Sequence, residues 1–92
     1  MSFPAVASAL QVWSHVFCRH YDTLPTKVQR EIMAKIDDLG RRLGAFPHVR
    51  LVGRTEFKLR VGDWRVLYEF DLSAGRLYLL YVGNRREIYK RV

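Results

Sequence analysis

Phe57-Lys58-Leu59-Arg60-Val61-Gly62-Asp63-Trp64-Arg65-Val66-Leu67-Tyr68 reads as two short strands joined by a tight turn. Phe57, Leu59 and Val61 alternate with Lys58 and Arg60, the period of two that marks a strand with one buried face. Gly62-Asp63 is a two-residue connection with glycine first, which suits a type II′ hairpin. Such a turn fixes the register. Val61 then opposes Trp64, Arg60 opposes Arg65, Leu59 opposes Val66 and Lys58 opposes Leu67. Directly opposed residues share a face. One face is therefore apolar, built from Phe57, Leu59, Val61, Trp64, Val66 and Tyr68. The other gathers Lys58, Arg60 and Arg65, with Leu67 and Glu69. Two arginines placed directly across from each other disfavour the pairing, and a phosphate seated between them would offset that cost. The competing reading is a salt-bridge network in which Glu56 and Glu69, further from the turn, neutralise the cluster.

The elements on either side follow from the same patterns. The return strand is Trp64–Asp71, and a third strand, Leu77–Val82, follows the Ser73-Ala74-Gly75 turn. The first strand of the hairpin is expected over Thr55–Val61. Upstream of Pro47 the period is 3.6. Val28, Ile32, Ile36, Leu39 and Leu43 form one stripe, with Lys27, Arg30, Glu31, Lys35 and Asp38 off it, the pattern of an amphipathic helix. Gly44 is the expected C-cap of that helix, with Pro47 soon after. Pro25 opens it, because a first turn loses nothing when an N–H is missing. An earlier helix runs from an N-cap at Ser14 to Asp22, with Phe17, Tyr21 and Leu24 on one face. Ala7–Trp13, ending in Val12 and Trp13, reads as an opening strand. The order is β-α-α-β-β-β: an α+β fold with two N-terminal helices packed on a small antiparallel sheet. Residues 1–92 are expected to form one domain.

Composition narrows the function. The chain has 92 residues, 49% of them hydrophobic and 13% aromatic, enough for one thin core and too few for a large multi-domain enzyme. Sixteen Lys and Arg against nine Asp and Glu give a net charge of +7. The excess lies in residues 48–92, which carry ten basic and five acidic side chains, against six and four in residues 1–47. A polyanion suits such a surface, and nucleic acid is the common one. A solvated basic face is the alternative. The single Cys18 excludes an internal disulfide framework and a cysteine-built metal site. No stretch is apolar for long enough to span a bilayer, and the N-terminus lacks the positive n-region of a signal peptide. The expected location is the cytoplasm, with no membrane partner.

The ending, Gly83-Asn84-Arg85-Arg86-Glu87-Ile88-Tyr89-Lys90-Arg91, adds four cations and a tyrosine. If the third strand lies beside the hairpin, this run can fold over the cationic face. Guanidinium binds phosphate bidentately and aromatic rings stack on unpaired bases; a basic tail beside a core tyrosine is the other reading. His15, His20 and His48 are not at metal-ligand spacing, and there is no phosphate-binding glycine loop. No acidic cluster is present that would hold the ions of a two-metal nuclease. Phosphoryl chemistry on this chain would rest on Lys, Arg and Tyr.

The segments Phe57–Tyr68 and Val82-Gly83-Asn84-Arg85-Arg86-Glu87-Ile88-Tyr89 together resemble the signature of RelE-type toxins of bacterial toxin–antitoxin modules. The stretch from Leu24-Pro25 to Leu39 is similar to that family's helical half, so the resemblance runs from about Leu10 to Arg91. It implies a small basic endoribonuclease that cuts messenger RNA, typically in the ribosomal A site, without metal or other cofactor. The RNA 2′-hydroxyl attacks the adjacent phosphorus and a cyclic phosphate is left. Matched motif to motif, the implied catalytic residues are Lys58, Arg65, Arg85 and Tyr89, with Arg60, Arg86, Lys90 and Arg91 on RNA backbone. Arg65 and Arg85 would stabilise the developing charge, and Arg stays protonated and cannot serve as base. Lys58 or Tyr89 would move protons. The implied partners are messenger RNA, the ribosome and a cognate antitoxin, acidic and partly disordered, that lays a helix or strand on the toxin. The sequence departs from the family where Glu56 replaces a second Lys, where Asn84 replaces a His, and where it stops soon after Tyr89. Two alternatives stay open: a ParE-like inhibitor of DNA gyrase on the same fold, and a basic RNA-binding module without chemistry.

Overall fold

A computed structural model describes residues 8–88. Seven elements follow in order: β1 (Leu10–Trp13), α1 (His15–Asp22), α2 (Thr26–Arg41), β2 (Val49–Arg50), β3 (Phe57–Val61), β4 (Trp64–Asp71) and β5 (Arg76–Asn84). The strands form one sheet in the order β1-β5-β4-β3-β2. From β1, the two helices carry the chain across one sheet face to the far edge. The meander from β2 to β5 then steps back until β5 lies beside β1.

The hairpin has the register its turn dictates, Phe57 against Tyr68 through Val61 against Trp64. Gly62 has φ 60°, the positive sign that a glycine-first hairpin turn needs. Ser14 caps α1, its Oγ accepting from the Phe17 N–H at 3.0 Å while donating to the Leu80 carbonyl at 2.7 Å. One hydroxyl thus ties the helix start to β5. Tyr21 and Gln29 join the helices in both directions, through Tyr21 Oη to the Gln29 carbonyl and Gln29 Nε2 to the Tyr21 carbonyl. The core lies between the helices and the inner sheet face: Phe17, Ile32, Ile36 and Leu39 against Leu59, Val61, Val66, Tyr68, Leu77, Leu79 and Val82.

Several sequence expectations need correction. The sheet is mixed, because β1 pairs parallel to β5; the helical crossover makes a parallel neighbour possible where a hairpin cannot. A fifth strand, β2, is only two residues long and pairs with Phe57 and Lys58, too short for alternation to register. Helix α2 ends at Arg41 with Arg42 as C-cap, its N–H reaching the Asp38 and Leu39 carbonyls, so Gly44 does not terminate it. Leu43 completes the apolar stripe from beyond the helix end. The hairpin's first strand begins at Phe57, with Thr55 and Glu56 before it, and the last strand is longer than expected at both ends.

Candidate nucleic-acid interface

Alternation along β3 and β4 sends Lys58, Arg60, Arg65 and Leu67 to the sheet face away from the helices. Lys58 and Arg60 are exposed and Arg65 is half-buried. Arg60 and Arg65 are directly opposed. Val61 and Trp64 close the two-residue turn, so the next pair outward, Arg60–Arg65, is a non-hydrogen-bonded one, in which Cα atoms lie only ~4.5 Å apart. The backbone itself therefore sets the two arginine side chains side by side on one face. Arg65 is steadied further, its Nη1 donating to the Gly62 and Trp64 carbonyls at 2.7 and 2.9 Å. Its Nε–H and second amino group remain for a ligand.

Glu56 and Glu69, the carboxylates that the sequence offers to this cluster, are engaged elsewhere. Glu56, with 9% of its surface exposed, takes both oxygens to Arg54, at 2.9 Å from Nε and 2.8 Å from Nη2. That hydrogen-bonded guanidinium holds the Glu56 carboxyl below its ordinary range. Glu69 accepts from the Thr55 hydroxyl at 2.6 Å. Among the described residues no ion pair joins Lys58, Arg60 or Arg65 to a carboxylate. The salt-bridge network that the sequence allowed is absent there, and the cationic face is left uncompensated.

The end of β5 brings in the second group. Gly83 pairs with Arg65 across β4 and β5. After it the chain turns, with the Arg85 N–H on the Asp63 carbonyl at 2.8 Å and the Arg86 N–H on Asn84 Oδ1 at 3.0 Å. Arg85 Nε lies 4.0 Å from Asp63 Oδ1 in an exposed contact, the kind of surface pair that contributes little. Ile88 then folds back over Gly83, where a Cβ would sit 3.7 Å from the Ile88 Cβ. Ile88 and Leu67 are both buried yet stand outside the main core. Residues 84–88 thus fold back over the outer face at Gly83, bringing Arg85 to Asp63 of the hairpin turn. Arg86 is exposed on the same turn. Tyr89, Lys90 and Arg91 lie outside the described residues.

Two further features escaped the sequence reading. Lys35 of α2, exposed, reaches the β3 edge and lines a cleft of about 390 Å³ with Lys58, Arg60, Arg65, Phe46, Pro47, Val49 and Leu59. Nothing in the helical pattern distinguishes it from the other polar positions of α2. His48 is structural: Nδ1 meets the Tyr68 hydroxyl at 2.7 Å and Nε2 the Leu43 carbonyl at 2.8 Å. Its ring stacks on Phe70 at 4.1 Å. That anchor holds the Phe46–Pro47 segment, one wall of the cleft. Among the described residues no group of three or more His, Cys, Asp or Glu is placed to hold a metal ion. No helix among them is long and apolar enough to cross a membrane.

No protein-family model matches the chain. No curated protein sequence matches it either. Solved structures do. The RelBE2 toxin–antitoxin complex of Mycobacterium tuberculosis aligns at TM-score 0.70 and 22% identity, over 86% of this chain and all of that one. The archaeal RelE–RelB complex of Pyrococcus horikoshii gives TM-score 0.70 and 19% identity, over 86% and 97%. The isolated RelE toxin of E. coli gives TM-score 0.68 and 13% identity, over 91% and 98%. Two helices on a five-stranded mixed sheet make an α+β fold that matches the RelE toxin structures.

Proposed function

We propose that this single-domain chain is the toxin of a type II toxin–antitoxin pair, a metal-independent endoribonuclease that cuts messenger RNA on the ribosome and so stops translation in the cytoplasm. The observation that carries this reading is the uncompensated Arg60–Arg65 pair, flanked by Lys58 and Arg85, with Glu56 and Glu69 bonded away from it. Opposed arginines destabilise a sheet, and RNA phosphates bound along this face, the scissile one on Arg65 and a flanking one on Arg60, remove that penalty. The fold shared with RelE toxins supports the same reading.

In this mechanism the scissile phosphate sits between Arg65 and Arg85. The 2′-oxygen loses its proton and attacks phosphorus. The P–O5′ bond breaks, the 5′-oxygen takes a proton and leaves, and a 2′,3′-cyclic phosphate remains. Arg65, fixed by the turn carbonyls, and Arg85 meet the charge that builds on the phosphoryl oxygens. Donors held in place beforehand need no rearrangement at the transition state. Lys58 is the candidate base and Tyr89 the candidate acid, with the roles exchangeable between them. Arg60, Arg86, Lys90 and Arg91 bind flanking backbone. The similar structures from M. tuberculosis and M. jannaschii are toxin–antitoxin complexes, and that from P. horikoshii is a RelE–RelB complex. By extension a cognate antitoxin covers exposed apolar surface here, such as Leu10 and Val12 of β1, and silences the cationic face.

The test is cleavage of ribosome-bound message by purified protein, with and without EDTA. Arg65→Ala and Arg85→Ala each lower the rate by about 10²–10³, as loss of one charge-stabilising donor does, and EDTA has no effect. Equal cleavage by either variant removes that arginine from the site, and inhibition by EDTA overturns the metal-independent mechanism.

A further inference from the structure

The cleft beside β3 is larger than a phosphate needs and has a second character. Lys35, Lys58, Arg60 and Arg65 supply its charge, while Phe46, Pro47, Val49 and Leu59 supply an apolar wall. Its volume of about 390 Å³ falls within the ~300–1,000 Å³ of small-molecule sites. It opens because β2 covers only Phe57 and Lys58 of β3. In a two-residue hairpin Val61 turns its backbone groups toward β4. Alternation then turns those of Arg60 outward, past the end of β2 and along the open edge. The nearby Asp38 is hydrogen-bonded by Arg42 at 2.7 and 3.1 Å, with Arg41 at 3.9 Å, and of these cations Lys35 acts on it least.

We propose that this cleft is a nucleotide-binding subsite, in which the base of a residue flanking the scissile phosphate packs on Phe46 and Pro47 while Lys35 and Arg60 hold its backbone phosphate. The inference rests on the ribonuclease reading and adds to it a place for a neighbouring nucleotide and a residue, Lys35, from the helical layer. Charge and apolar surface meet here in the arrangement that single-stranded nucleic acid requires: a cationic groove for backbone and a ring for a base. The Arg42 guanidinium, which does not line the cleft, lies over the Phe46 ring 5.1 Å from its centroid; an acidic polypeptide would match the charge but bring no ring to the Phe46 and Pro47 surface that faces the cleft. The wall is fixed in place, since His48 ties the segment after Phe46 to Tyr68 and Leu43.

The experiment measures binding of a non-cleavable, fluorescein-labelled 2′-O-methyl oligoribonucleotide by anisotropy across a salt series. The proteins are wild type, Lys35→Ala, Lys35→Arg, Phe46→Leu and Arg65→Ala. Lys35 is exposed, so its variants fold. Lys35→Ala is expected to weaken binding about 3–10-fold at low salt and to lower the salt slope by about 0.7, the loss of one single-strand phosphate contact. Lys35→Arg keeps the wild-type slope. Phe46→Leu weakens binding about 5-fold or more with the slope unchanged, as loss of stacking does. If Arg65→Ala weakens binding and both Lys35→Ala and Phe46→Leu match wild type, the subsite is wrong and the ribonuclease reading survives. If wild type fails to bind and Arg65→Ala changes nothing, both fail. Polyglutamate replaces RNA in a parallel series; if Lys35→Ala weakens only polyglutamate, the cleft is a site for acidic polypeptide and the proposal is overturned.

Discussion

Replacing Tyr68 by Phe removes one oxygen from the middle of the molecule and nothing else. Tyr68 has no exposed surface, and burial pushes its phenol far above the ordinary range, so it keeps its proton. The hydroxyl meets His48 Nδ1 at 2.7 Å, and His48 Nε2 meets the Leu43 carbonyl at 2.8 Å. A carbonyl only accepts, so Nε2 carries the hydrogen and Nδ1 accepts from Tyr68. In Tyr68→Phe that nitrogen faces the rings of Phe46, Phe57 and Phe70 without a donor. Stranding a buried acceptor costs ~1–3 kcal/mol. His48 is half-buried, so water satisfies part of the loss, and the lower part of that range, about 1–2 kcal/mol, applies. Each kcal/mol moves Tm by ~4–8 °C in a domain of this size. The expected fall is therefore about 5–15 °C, followed by circular dichroism, with a lower urea midpoint and an unchanged m-value. In a His48→Ala background the same change should cost little, because the partner is already gone. A fall below about 2 °C, or an equal cost in both backgrounds, refutes the anchoring role given to His48.

Other consequences follow from single contacts. Gly40 lies inside α2, where an added Cβ would find no atom nearer than 3.9 Å; Gly40→Ala should raise stability by about 0.5–1 kcal/mol in a urea titration. Glu56 has its carboxyl held below the ordinary value of 4.5 by Arg54. Its stabilising contribution is complete above that value and is lost as pH falls through the lower folded-state value. The stability difference between wild type and Glu56→Gln should shrink over that acid window, read by denaturation at several pH values. Ile88 has 1% of its surface exposed and packs on Gly83 outside the main core. Ile88→Ala should remove ~2–4 kcal/mol of local packing but lower global Tm less than Ile36→Ala. Amide exchange over residues 84–88 would rise before the rest of the protein unfolds.

Much of this architecture was legible in the sequence. The hairpin register followed from Gly62-Asp63, because a two-residue turn allows one pairing. Pro25 and Ser14 marked the helix starts for local reasons, a missing donor and a capping hydroxyl. What stayed hidden was non-local. Nothing in Leu10–Trp13 says that this strand joins β5 in parallel, since partner choice depends on where the crossover delivers the chain. Val49–Arg50 is too short to show a period. His48 reads as an ordinary histidine because its partners, Leu43 and Tyr68, are set by tertiary structure. At the site, the clustering of Lys58, Arg60 and Arg65 was readable from alternation, and the approach of Arg85 only conditionally on β5 lying beside β4. The fate of Glu56 was not readable, because its partner Arg54 precedes the strand and shares no period with it. Lys35 joins the cleft only through the packing of α2 on β3.

The most direct test of the account is a comparison of wild type and Arg85→Ala induced in a bacterium, with growth followed and messenger RNA ends mapped by primer extension. The account predicts growth arrest with new in-frame cuts in translated messages, both lost in Arg85→Ala. Arrest without new ends, accompanied by DNA-damage signalling, would contradict it and point to gyrase as the target.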